Sequence, residues 1–434
     1  PTIGLHPHDN KNLLRILRSL QKRGNTLIIV EHDEETIRSA DFVIDLGIGG
    51  GIHGGNVVAA GTLQDIMHSR ESVTGTWLSH AHGMRKYRQP RSLAGCAYVT
   101  IEGAREHNLK HITVSIPLQR LTVVTGVSGS GKSTLVKDTV YKGIKKRLGG
   151  SYGCAGACDS LKGAEHLSRV AEIDQSPIGK TPRSTPATYI GFYSEIRRMF
   201  SLVPESQIRG FTPSRFSFNV RGGRCEKCSG QGKIKMEMSF LPDVYVMCDV
   251  CQGKRFNEET LSVRLKGKNI SEVLDLTVEE ACSFFQGFPS IHRPLNLLAR
   301  MGLGYLTLGQ QSPTLSGGEA QRIKIAYELS RTTRGNTLYV LDEPTTGLHM
   351  ADIDNLMKVL HELVDLGNTI IIIEHNMEVI RQADYVIDLG PEGGDKGGFV
   401  VASGAPGEVA IKTKTSYTAR YLNQYLRQKN LLSK

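Results

Sequence analysis

One motif, the nonapeptide Gly126–Thr134, restricts the fold of this 434-residue chain more than any other feature. It reads GVSGSGKST, which fits the pattern G-x-x-x-x-G-K-S, and it directly follows the apolar run Leu121-Thr122-Val123-Val124. Glycines let consecutive backbone N–H groups curve around phosphate oxygens, and a helix that starts after such a loop points its positive end at the anion. A glycine-rich turn without a ligand is the alternative. The strand before the motif and the helix after it favour a phosphate-binding P-loop.

The residue types in this loop suit a nucleotide site. Lys132 supplies a cation to the β- and γ-phosphates, and the hydroxyl of Ser133 ligates Mg²⁺. We therefore predict nucleotide contacts from Gly126, Ser128, Gly129, Ser130, Gly131, Lys132, Ser133 and Thr134. A second predicted strand, Leu338–Leu341, ends in Asp342 and Glu343. We predict that Asp342 holds Mg²⁺, commonly through water, and that Glu343 polarises the attacking water. A solvated surface pair of acids is the alternative.

Residues 1–61 and 344–404 repeat each other at a constant offset of 343, with more than half of the aligned residues identical. Each copy reads as helix, strand, helix and short strand. Leucines 13, 14, 17 and 20 mark one helix face, and the apolar runs Leu27–Val30 and Ile370–Ile373 are typical of buried parallel strands. Alternating strands and helices predict an α/β sheet covered on both faces. The chain therefore reads as the tail of one ATPase-like module followed by a second module.

Four of the eight cysteines form two close pairs, Cys225/Cys228 and Cys248/Cys251, with nineteen residues between the pairs. This spacing matches a four-thiolate zinc site built from two knuckles. A cytosolic compartment disfavours disulfides, and two matched pairs disfavour a redox motif. We predict that these four cysteines bind one Zn²⁺. The basic residues around them predict either a solubilising surface or phosphate contacts with DNA; they are Arg221, Arg224, Lys227, Lys233, Lys235, Lys254 and Arg255.

Charge and hydropathy bear on partners and location. The chain has 53 Lys and Arg against 43 Asp and Glu, a net charge of +10, which favours a polyanionic partner. No apolar run reaches the length of a membrane-spanning helix, and the N-terminal residues lack a signal-peptide pattern. We therefore predict a cytoplasmic protein without a membrane partner. Because Pro1 stands inside a repeat motif, we expect the sequence to be part of a longer chain.

A third motif lies between the P-loop and the acidic strand. Residues 315–322 read LSGGEAQR, which resembles the signature of ABC-type ATPases. Lys132 and Ser316 are 184 residues apart, and the four cysteines lie between them. This arrangement, with the tracts Asp174–Ser184 and Phe240–Val246, is similar to the UvrA family of ABC-type ATPases. The resemblance extends over nearly the whole chain.

The resemblance implies roles for further residues. Ser316, Gly317 and Gly318, at a helix N-terminus, would bind the γ-phosphate held by the opposite module. His375 would sense the same phosphate, and Gln175 would couple Mg²⁺ and water to an attached domain. The predicted catalytic set is therefore Glu343, His375 and Gln175.

The resemblance also implies an architecture. We expect an α/β fold, an ABC-type P-loop ATPase core with an inserted, mainly helical signature domain that carries the four-cysteine zinc module. The expected domains are the end of a first ATP-binding module (1–80), a linker (81–95), the start of the second module (96–196), the signature domain (197–325, with zinc at about 221–256), and the end of the second module (326–434).

The function implied is ATP-dependent recognition of damaged double-stranded DNA in nucleotide excision repair, by an ATPase of the excinuclease system that is not itself a nuclease. The implied cofactors are ATP or ADP, Mg²⁺ and Zn²⁺. The implied partners are damaged duplex DNA, a second copy in a head-to-tail homodimer, and UvrB for the full-length protein, whose UvrB-binding region would lie upstream of Pro1.

One alternative is a UvrA-like ATPase for antibiotic self-resistance or translocation that binds a small molecule. A generic ABC transporter subunit is a third possibility, which the zinc module disfavours.

The resemblance also implies an expectation about hydrolysis, because two modules share each nucleotide site in this class of ATPase. In ABC-type ATPases the P-loop of one module faces the signature of the other. We therefore expect nucleotide binding at Lys132, with little hydrolysis by an isolated copy unless a signature from a second copy faces that site.

Overall fold

The computed structural model of the protein describes residues 2, 4–51, 54–79, 88–150, 153–236, 244–331 and 335–428. Its β-strands are β1 (Val43–Gly47), β2 (Asn56–Gly61), β3 (Tyr98–Ala104), β4 (Ile112–Pro117), β5 (Leu121–Gly126), β6 (Ser160–Lys162), β7 (Arg169–Ile173), β8 (Lys233–Met236), β9 (Val244–Met247), β10 (Thr337–Asp342), β11 (Thr369–Ile373), β12 (Tyr385–Gly390) and β13 (Phe399–Gly404).

The α-helices in the same residues are α1 (Pro7–Lys22), α2 (Glu34–Ser39), α3 (Leu63–His68), α4 (Val73–Leu78), α5 (Lys142–Arg147), α6 (Pro186–Ile190), α7 (Tyr193–Ser201), α8 (Pro204–Ile208), α9 (Glu258–Ser262), α10 (Ile270–Leu274), α11 (Val278–Phe284), α12 (Pro289–Leu298), α13 (Gly317–Ser330), α14 (Met350–Asp365), α15 (Met377–Arg381), α16 (Pro406–Ile411) and α17 (Tyr417–Gln428). Two stretches are π-helical: Thr134–Tyr141 continues into α5, and Ala299–Leu303 follows α12.

The chain divides into two units. The first consists of Pro1–Asp174 and Thr333–Lys434, and the second is the intervening Gln175–Thr332. The first unit contains the larger sheets, whereas the second contains helices α6 to α13 and the hairpin β8–β9. The predicted α/β core with an inserted, mainly helical domain is therefore confirmed. The finer domain boundaries drawn from the sequence stay a prediction.

A six-stranded sheet forms the centre of the first unit, in the order β13-β12-β5-β11-β10-β7. Five of its strands run parallel, and β13 is antiparallel to its neighbour β12. The central strands are continuous apolar runs, fully buried in β5 and β11, because both faces of a parallel sheet are covered. The carboxyl ends of β5, β10 and β11 share one edge, where parallel α/β sheets form their ligand sites.

A three-stranded antiparallel sheet, β4-β3-β6, shares one hydrophobic core with the main sheet. The π-helical stretch Thr134–Tyr141, which follows the P-loop, packs into the same core. The buried residues of this core include Val99, Ile101, Val114, Ile116, Val124, Leu135, Val136, Val140, Val340 and Ile371. This packing fixes the helix that begins directly after the phosphate-binding motif.

The two repeat copies fold alike except at one strand. Helices α1 and α2 and strand β1 of the first copy correspond to α14, α15 and β12 of the second. The strand predicted at Ile370–Ile373 is present as part of β11, whereas the strand predicted at Leu27–Val30 does not form.

The surroundings of Leu27–Val30 explain this difference. Ile28 and Val30 are 93% and 84% exposed, whereas their counterparts Ile371 and Ile373 are 0% and 1% exposed. Strand β11 is hydrogen-bonded on both sides, to β10 and to β5. No strand in the described ranges pairs with Leu27–Val30. An apolar run becomes a strand only where neighbours satisfy its backbone hydrogen bonds, so the prediction is wrong at this segment.

The predicted linker, residues 81–95, is described from residue 88 onwards and has no helix or strand there. Arg91 anchors this part: its side chain lies 2.7 Å from Asp384 Oδ2 and 2.6 Å from Asp365 Oδ1. Its backbone N–H also donates to Asp384 Oδ1 at 2.8 Å. The second half of the linker is therefore fixed to the first unit. No helix in the described residues is long and apolar enough to cross a membrane.

Candidate nucleotide site and candidate metal centre

The loop between β5 and the following helix has the backbone of an anion-binding cradle. Gly126, Gly129 and Gly131 have φ values of 137°, 75° and 102°, a region that residues with a Cβ rarely adopt. A Cβ on Gly126 would lie 2.0 Å from the carbonyl oxygen of Leu389, so this position has no room for a side chain. The Ser130 hydroxyl is buried and has no hydrogen-bond partner in the described structure. This cradle and its unpartnered hydroxyl fit a nucleotide phosphate chain.

The side chain of Lys132 lies inside the loop. Its Nζ donates to the carbonyl oxygens of Gly126 and Val127 at 3.0 and 2.9 Å, and the residue is 8% exposed. Burial lowers the pKa of Lys132 to about 8, while nearby carboxylates, Glu343 foremost, oppose that shift. A desolvated cation beside such a loop interacts strongly with a phosphate group.

Two oxygen donors suitable for Mg²⁺ lie at this sheet edge. Ser133 is exposed at the start of the helix after the loop, and Asp342 ends β10. The register places Asp342 beside Ile373 of β11, and Ile373 beside Val124 of β5, two residues before the loop. Hydroxyl and carboxylate oxygens are the hard ligands that Mg²⁺ prefers. The donor set therefore fits the predicted ion.

Glu343 and His375 lie next to each other beyond the strand ends. Glu343 has a φ of 42°, and its Oε1 lies 3.9 Å from His375 Nε2. Burial, together with the charges of Glu374 and Asp342, raises the pKa of Glu343. Burial lowers the pKa of His375 well below its usual value, so this imidazole is neutral at physiological pH. A carboxylate with a raised pKa is better matched to general-base chemistry near neutrality.

A buried glutamate holds the loops on either side of this pair. Glu374 accepts backbone N–H groups from Thr345 at 3.1 Å and from His375 at 2.8 Å. The repeat reproduces this arrangement, since Glu31 accepts the N–H of Thr2 at 2.7 Å. The loop that carries Glu343 is therefore tied to the loop that carries His375.

The first repeat copy reaches the second copy at this point. His6 Nε2 lies 3.1 Å from Thr418 Oγ1, and Thr418 donates to Asp388 Oδ1 at 2.8 Å. The His6 ring also packs edge-on against His375, with 5.7 Å between ring centroids. Burial raises the pKa of Asp388 to about 6. His6 thus contacts His375 directly and the buried Asp388 through Thr418.

The second copy makes an equivalent His–Thr–Asp series of contacts with the N-terminal part of the chain. His349 Nε2 lies 3.2 Å from Thr74 Oγ1, and Thr74 donates to Asp45 Oδ1 at 2.8 Å. Neither histidine belongs to a functional motif of the sequence. The signal that was available is the histidine retained at equivalent positions of the two copies, His6 and His349.

The signature residues lie in the second unit. Ser316 is the N-cap of α13: its Oγ accepts from the Glu319 N–H at 3.3 Å, and its own N–H donates to Glu319 Oε2 at 2.7 Å. Gly317 follows, and a Cβ there would come within 3.2 Å of the Gln175 side chain. The structure therefore brings Gln175 to the start of the 14-residue helix that begins at Gly317 and Gly318, an end that favours anions.

The four paired cysteines come together in the same unit. All four sulfur atoms lie within 4.8 Å of one another and all four residues are buried. Cys225 and Cys248 are 3.9 Å apart at sulfur, and Cys228 and Cys251 are 3.6 Å apart. Ligands at about 2.3 Å around a tetrahedral Zn²⁺ are separated by roughly 3.8 Å. The geometry therefore fits the zinc centre that the spacing predicts.

Glycine makes one of the knuckle turns possible. Gly230 has a φ of 79°, and a Cβ there would lie 1.8 Å from the Phe218 carbonyl oxygen. The Gly232 N–H donates to Cys228 Sγ at 3.2 Å, a bond typical of thiolates that bind metal.

Two side chains join the cysteine cluster to the segment before α13. Arg255 donates to the Gly309 carbonyl oxygen at 2.6 Å, with its guanidinium 5.4 Å from the Phe218 ring centroid. Gln311 Nε2 donates to the Gln231 carbonyl oxygen at 2.9 Å. Arg255, for which the sequence predicts a solubilising role or a phosphate contact, is turned inward and packs against Phe218 and Gly309, so neither prediction holds for it.

The sheet order, the P-loop and the LSGG helix define this chain as a member of the ATP-binding-cassette (ABC) class of P-loop proteins. It is 58% identical over 411 residues to UvrABC system protein A of Thermus thermophilus, a match that covers 95% of this chain and 43% of that protein. The chain belongs to the UvrA family.

Other comparisons agree with this assignment. UvrABC system protein A of Clostridium perfringens is 55% identical over 426 residues, 98% of this chain and 45% of that protein. The crystal structure of UvrA2 from Deinococcus radiodurans matches with a TM-score of 0.91 and 46% identity, over 98% of this chain and 51% of that one. The chain therefore spans about half the length of the relatives it matches.

A distant structure shares the fold alone. A model of ribosome-bound archaeal Pelota and ABCE1 matches with a TM-score of 0.51 and 16% identity, over 95% of this chain and 53% of that one. No protein-family model matches the chain.

Proposed function

We propose that this chain binds ATP or ADP with Mg²⁺ at Gly126–Thr134 and takes part in ATP hydrolysis there. The observation that carries the proposal is the cradle itself. A buried Lys132 and the unpartnered Ser130 hydroxyl belong to a loop at the same sheet edge as Asp342 and Glu343.

Each residue has one task in this proposal. Lys132 and the loop N–H groups bind the phosphates. Ser133 and Asp342 would hold Mg²⁺, which when bound would supply neutralisation of phosphate charge. Glu343 orients the attacking water and accepts its proton, a role that the raised pKa of its carboxyl supports. His375, neutral and beside Glu343, contacts the γ-phosphate.

The remaining roles rest on the family. We assign Ser316, Gly317 and Gly318 to the γ-phosphate held by another module, and Gln175 to the coupling of Mg²⁺ and water with the second unit. The proximity of Gln175 to Gly317 supports treating these residues as one functional group.

We further infer that the chain takes part in ATP-dependent recognition of damaged duplex DNA, as part of the damage-binding subunit of an excinuclease and without nuclease activity of its own. Membership in the UvrA family supports this inference, and so does the net charge of +10. Recognition of diverse lesions is expected to depend on DNA deformability rather than on base contacts. A homodimer, UvrB as a partner of the full-length protein, and a cytoplasmic location stay predictions.

The hairpin β8–β9, beside the cysteine cluster, is the candidate DNA surface. Ile234 packs against the four cysteines, while its neighbours Lys233 and Lys235 are exposed. Alternate residues of a strand point to opposite faces, so the zinc centre anchors one face and the lysines occupy the other. Tyr245, opposite Lys235 on β9, is 49% exposed and offers an aromatic surface. Residues 240–243 of the tract that resembles the UvrA family lie outside the described residues.

Removing both lysines tests this surface. In the Lys233→Ala/Lys235→Ala variant we expect weaker binding of a duplex that carries a bulky lesion, because two phosphate contacts are lost. The slope of log affinity against log salt is expected to become shallower by roughly 1.8, from about 0.9 per contact. Fluorescence anisotropy at several salt concentrations, with damaged and undamaged duplexes, measures both quantities.

The matched control is Lys358→Ala/Lys396→Ala, which removes two exposed lysines from the first unit and should leave the slope unchanged. An unchanged slope in the hairpin variant would show that DNA phosphates bind to other residues, for instance Lys180 and Arg183. Equal affinity of the wild-type chain for damaged and undamaged DNA would contradict damage recognition and favour the alternative small-molecule function.

A further inference from the structure

A lysine outside the P-loop motif contacts the carboxylate assigned to Mg²⁺. Lys137 lies in the π-helical stretch that follows the loop, and its Nζ is 2.7 Å from Asp342 Oδ2. The same Nζ is 3.4 Å from Oε1 of Glu172 on β7. The three side chains are between 25% and 29% exposed, so the group is largely withdrawn from solvent. One ammonium therefore lies between two carboxylates at the edge of the nucleotide site.

Lys137 and the P-loop lysine have separate positions. Lys132 Nζ donates to the carbonyl oxygens of Gly126 and Val127 inside the loop, whereas Lys137 Nζ contacts Asp342. Both bonds from Lys137 raise its pKa against the effect of burial, so it is fully charged near neutral pH. The charge on Asp342 is thus balanced by a cation that belongs to the chain.

We propose that Lys137 is an internal counter-cation of Asp342 that competes with Mg²⁺ for this carboxylate and so sets the Mg²⁺ concentration that the nucleotide site requires. The inference rests on the proposed role of Asp342 in holding Mg²⁺. Two cations close to one carboxylate repel each other, and this repulsion is weakly screened where solvent is largely excluded. An ion that binds Asp342 must displace the ammonium or share the carboxylate with it.

Glu172 gives the proposal a second, opposite consequence. Because Glu172 shares the ammonium, it draws Lys137 away from Asp342 and weakens the competition. Loss of the Glu172 charge should therefore increase the Mg²⁺ requirement, whereas loss of the Lys137 charge should decrease it. Lys137 acts through Asp342 and is a positioning residue, not a catalytic one.

The experiment measures Mg²⁺ dependence separately from nucleotide affinity. Binding of a fluorescent, non-hydrolysable ATP analogue is measured in EDTA and then across a Mg²⁺ titration, and Mn²⁺ binding is followed by electron paramagnetic resonance. Lys137→Gln is expected to lower the half-saturating Mg²⁺ concentration roughly 3- to 10-fold, with affinity in EDTA unchanged. Glu172→Gln is expected to raise the half-saturating Mg²⁺ concentration. Lys137→Arg keeps the positive charge and is expected to have the wild-type value.

Lys142→Gln is the matched control. Lys142 follows the π-helical stretch and pairs with Asp138 at 2.6 Å, so its loss removes a similar ion pair that does not include Asp342. Its Mg²⁺ dependence should equal that of the wild type. The inference is overturned if Lys137→Gln binds nucleotide normally with unchanged Mg²⁺ dependence, or if both Lys137→Gln and Glu172→Gln shift that dependence in the same direction. A wild-type chain that binds no nucleotide would instead overturn the proposed function, and this inference with it.

Discussion

Replacing Cys225 and Cys251 together by serine is expected to release the zinc ion and to unfold residues 221–256. Each change removes one thiolate from one knuckle, and two remaining thiolates do not close a tetrahedral shell. Binding of structural zinc commonly contributes on the order of 10 kcal/mol to the folding of its module. We therefore expect one zinc ion per wild-type chain and none in the variant by metal analysis, with rapid proteolysis of the segment.

Loss of zinc should also destabilise the residues that are hydrogen-bonded to the cysteine cluster's neighbours. Arg255 and Gln311 connect it with the segment that precedes α13, so hydrogen exchange should also increase around Gly309. Nucleotide binding by the first unit should persist, which distinguishes local unfolding from collapse of the chain. The Cys96→Ser/Cys154→Ser variant, which changes two cysteines outside the cluster, serves as control and should keep its zinc. A wild-type chain without zinc, or a variant that retains it, would contradict the assignment.

Local motifs allowed much of this architecture to be predicted. The P-loop needs only its own glycines and the strand before it, and Gly126 and Gly131 have the positive φ values that the motif demands. The cysteine pairs are similar, because each knuckle is closed by residues near in sequence, and the meeting of all four sulfur atoms confirms the predicted cluster.

Features that depend on distant partners could not be predicted in the same way. The runs at Leu27–Val30 and Ile370–Ile373 are almost identical in composition, yet only the second has strands on both sides and forms a strand. Arg255 looks like a surface cation in the sequence, and its inward position depends on an aromatic ring and a carbonyl group far along the chain.

The contacts of His6 likewise depend on residues that are distant in sequence. His6 meets Thr418 across 412 residues, and no local pattern specifies that pairing. His6 nevertheless packs against His375, which we assign to the proposed nucleotide site. The first copy thus packs against His375, although the P-loop, the signature and the Asp342–Glu343 pair all lie outside that copy.

Changing Glu343 to glutamine is expected to abolish ATP hydrolysis while nucleotide binding persists. Glutamine keeps the size and hydrogen-bonding capacity of the side chain but cannot accept a proton from water, and loss of a general base typically lowers the rate by roughly 10²- to 10⁴-fold. Turnover per chain should therefore fall by at least about 100-fold at every protein concentration at which the wild type is active. Phosphate release measures turnover, and a fluorescent ATP analogue measures binding. Glu165→Gln, which changes an exposed glutamate of the same unit, is the control and should have normal turnover. If Glu343→Gln hydrolyses ATP at the wild-type rate, another group activates the water and the assignment of Glu343 is wrong. If the wild type binds nucleotide but releases no phosphate even at protein concentrations at which two chains associate, the ATPase proposal itself fails.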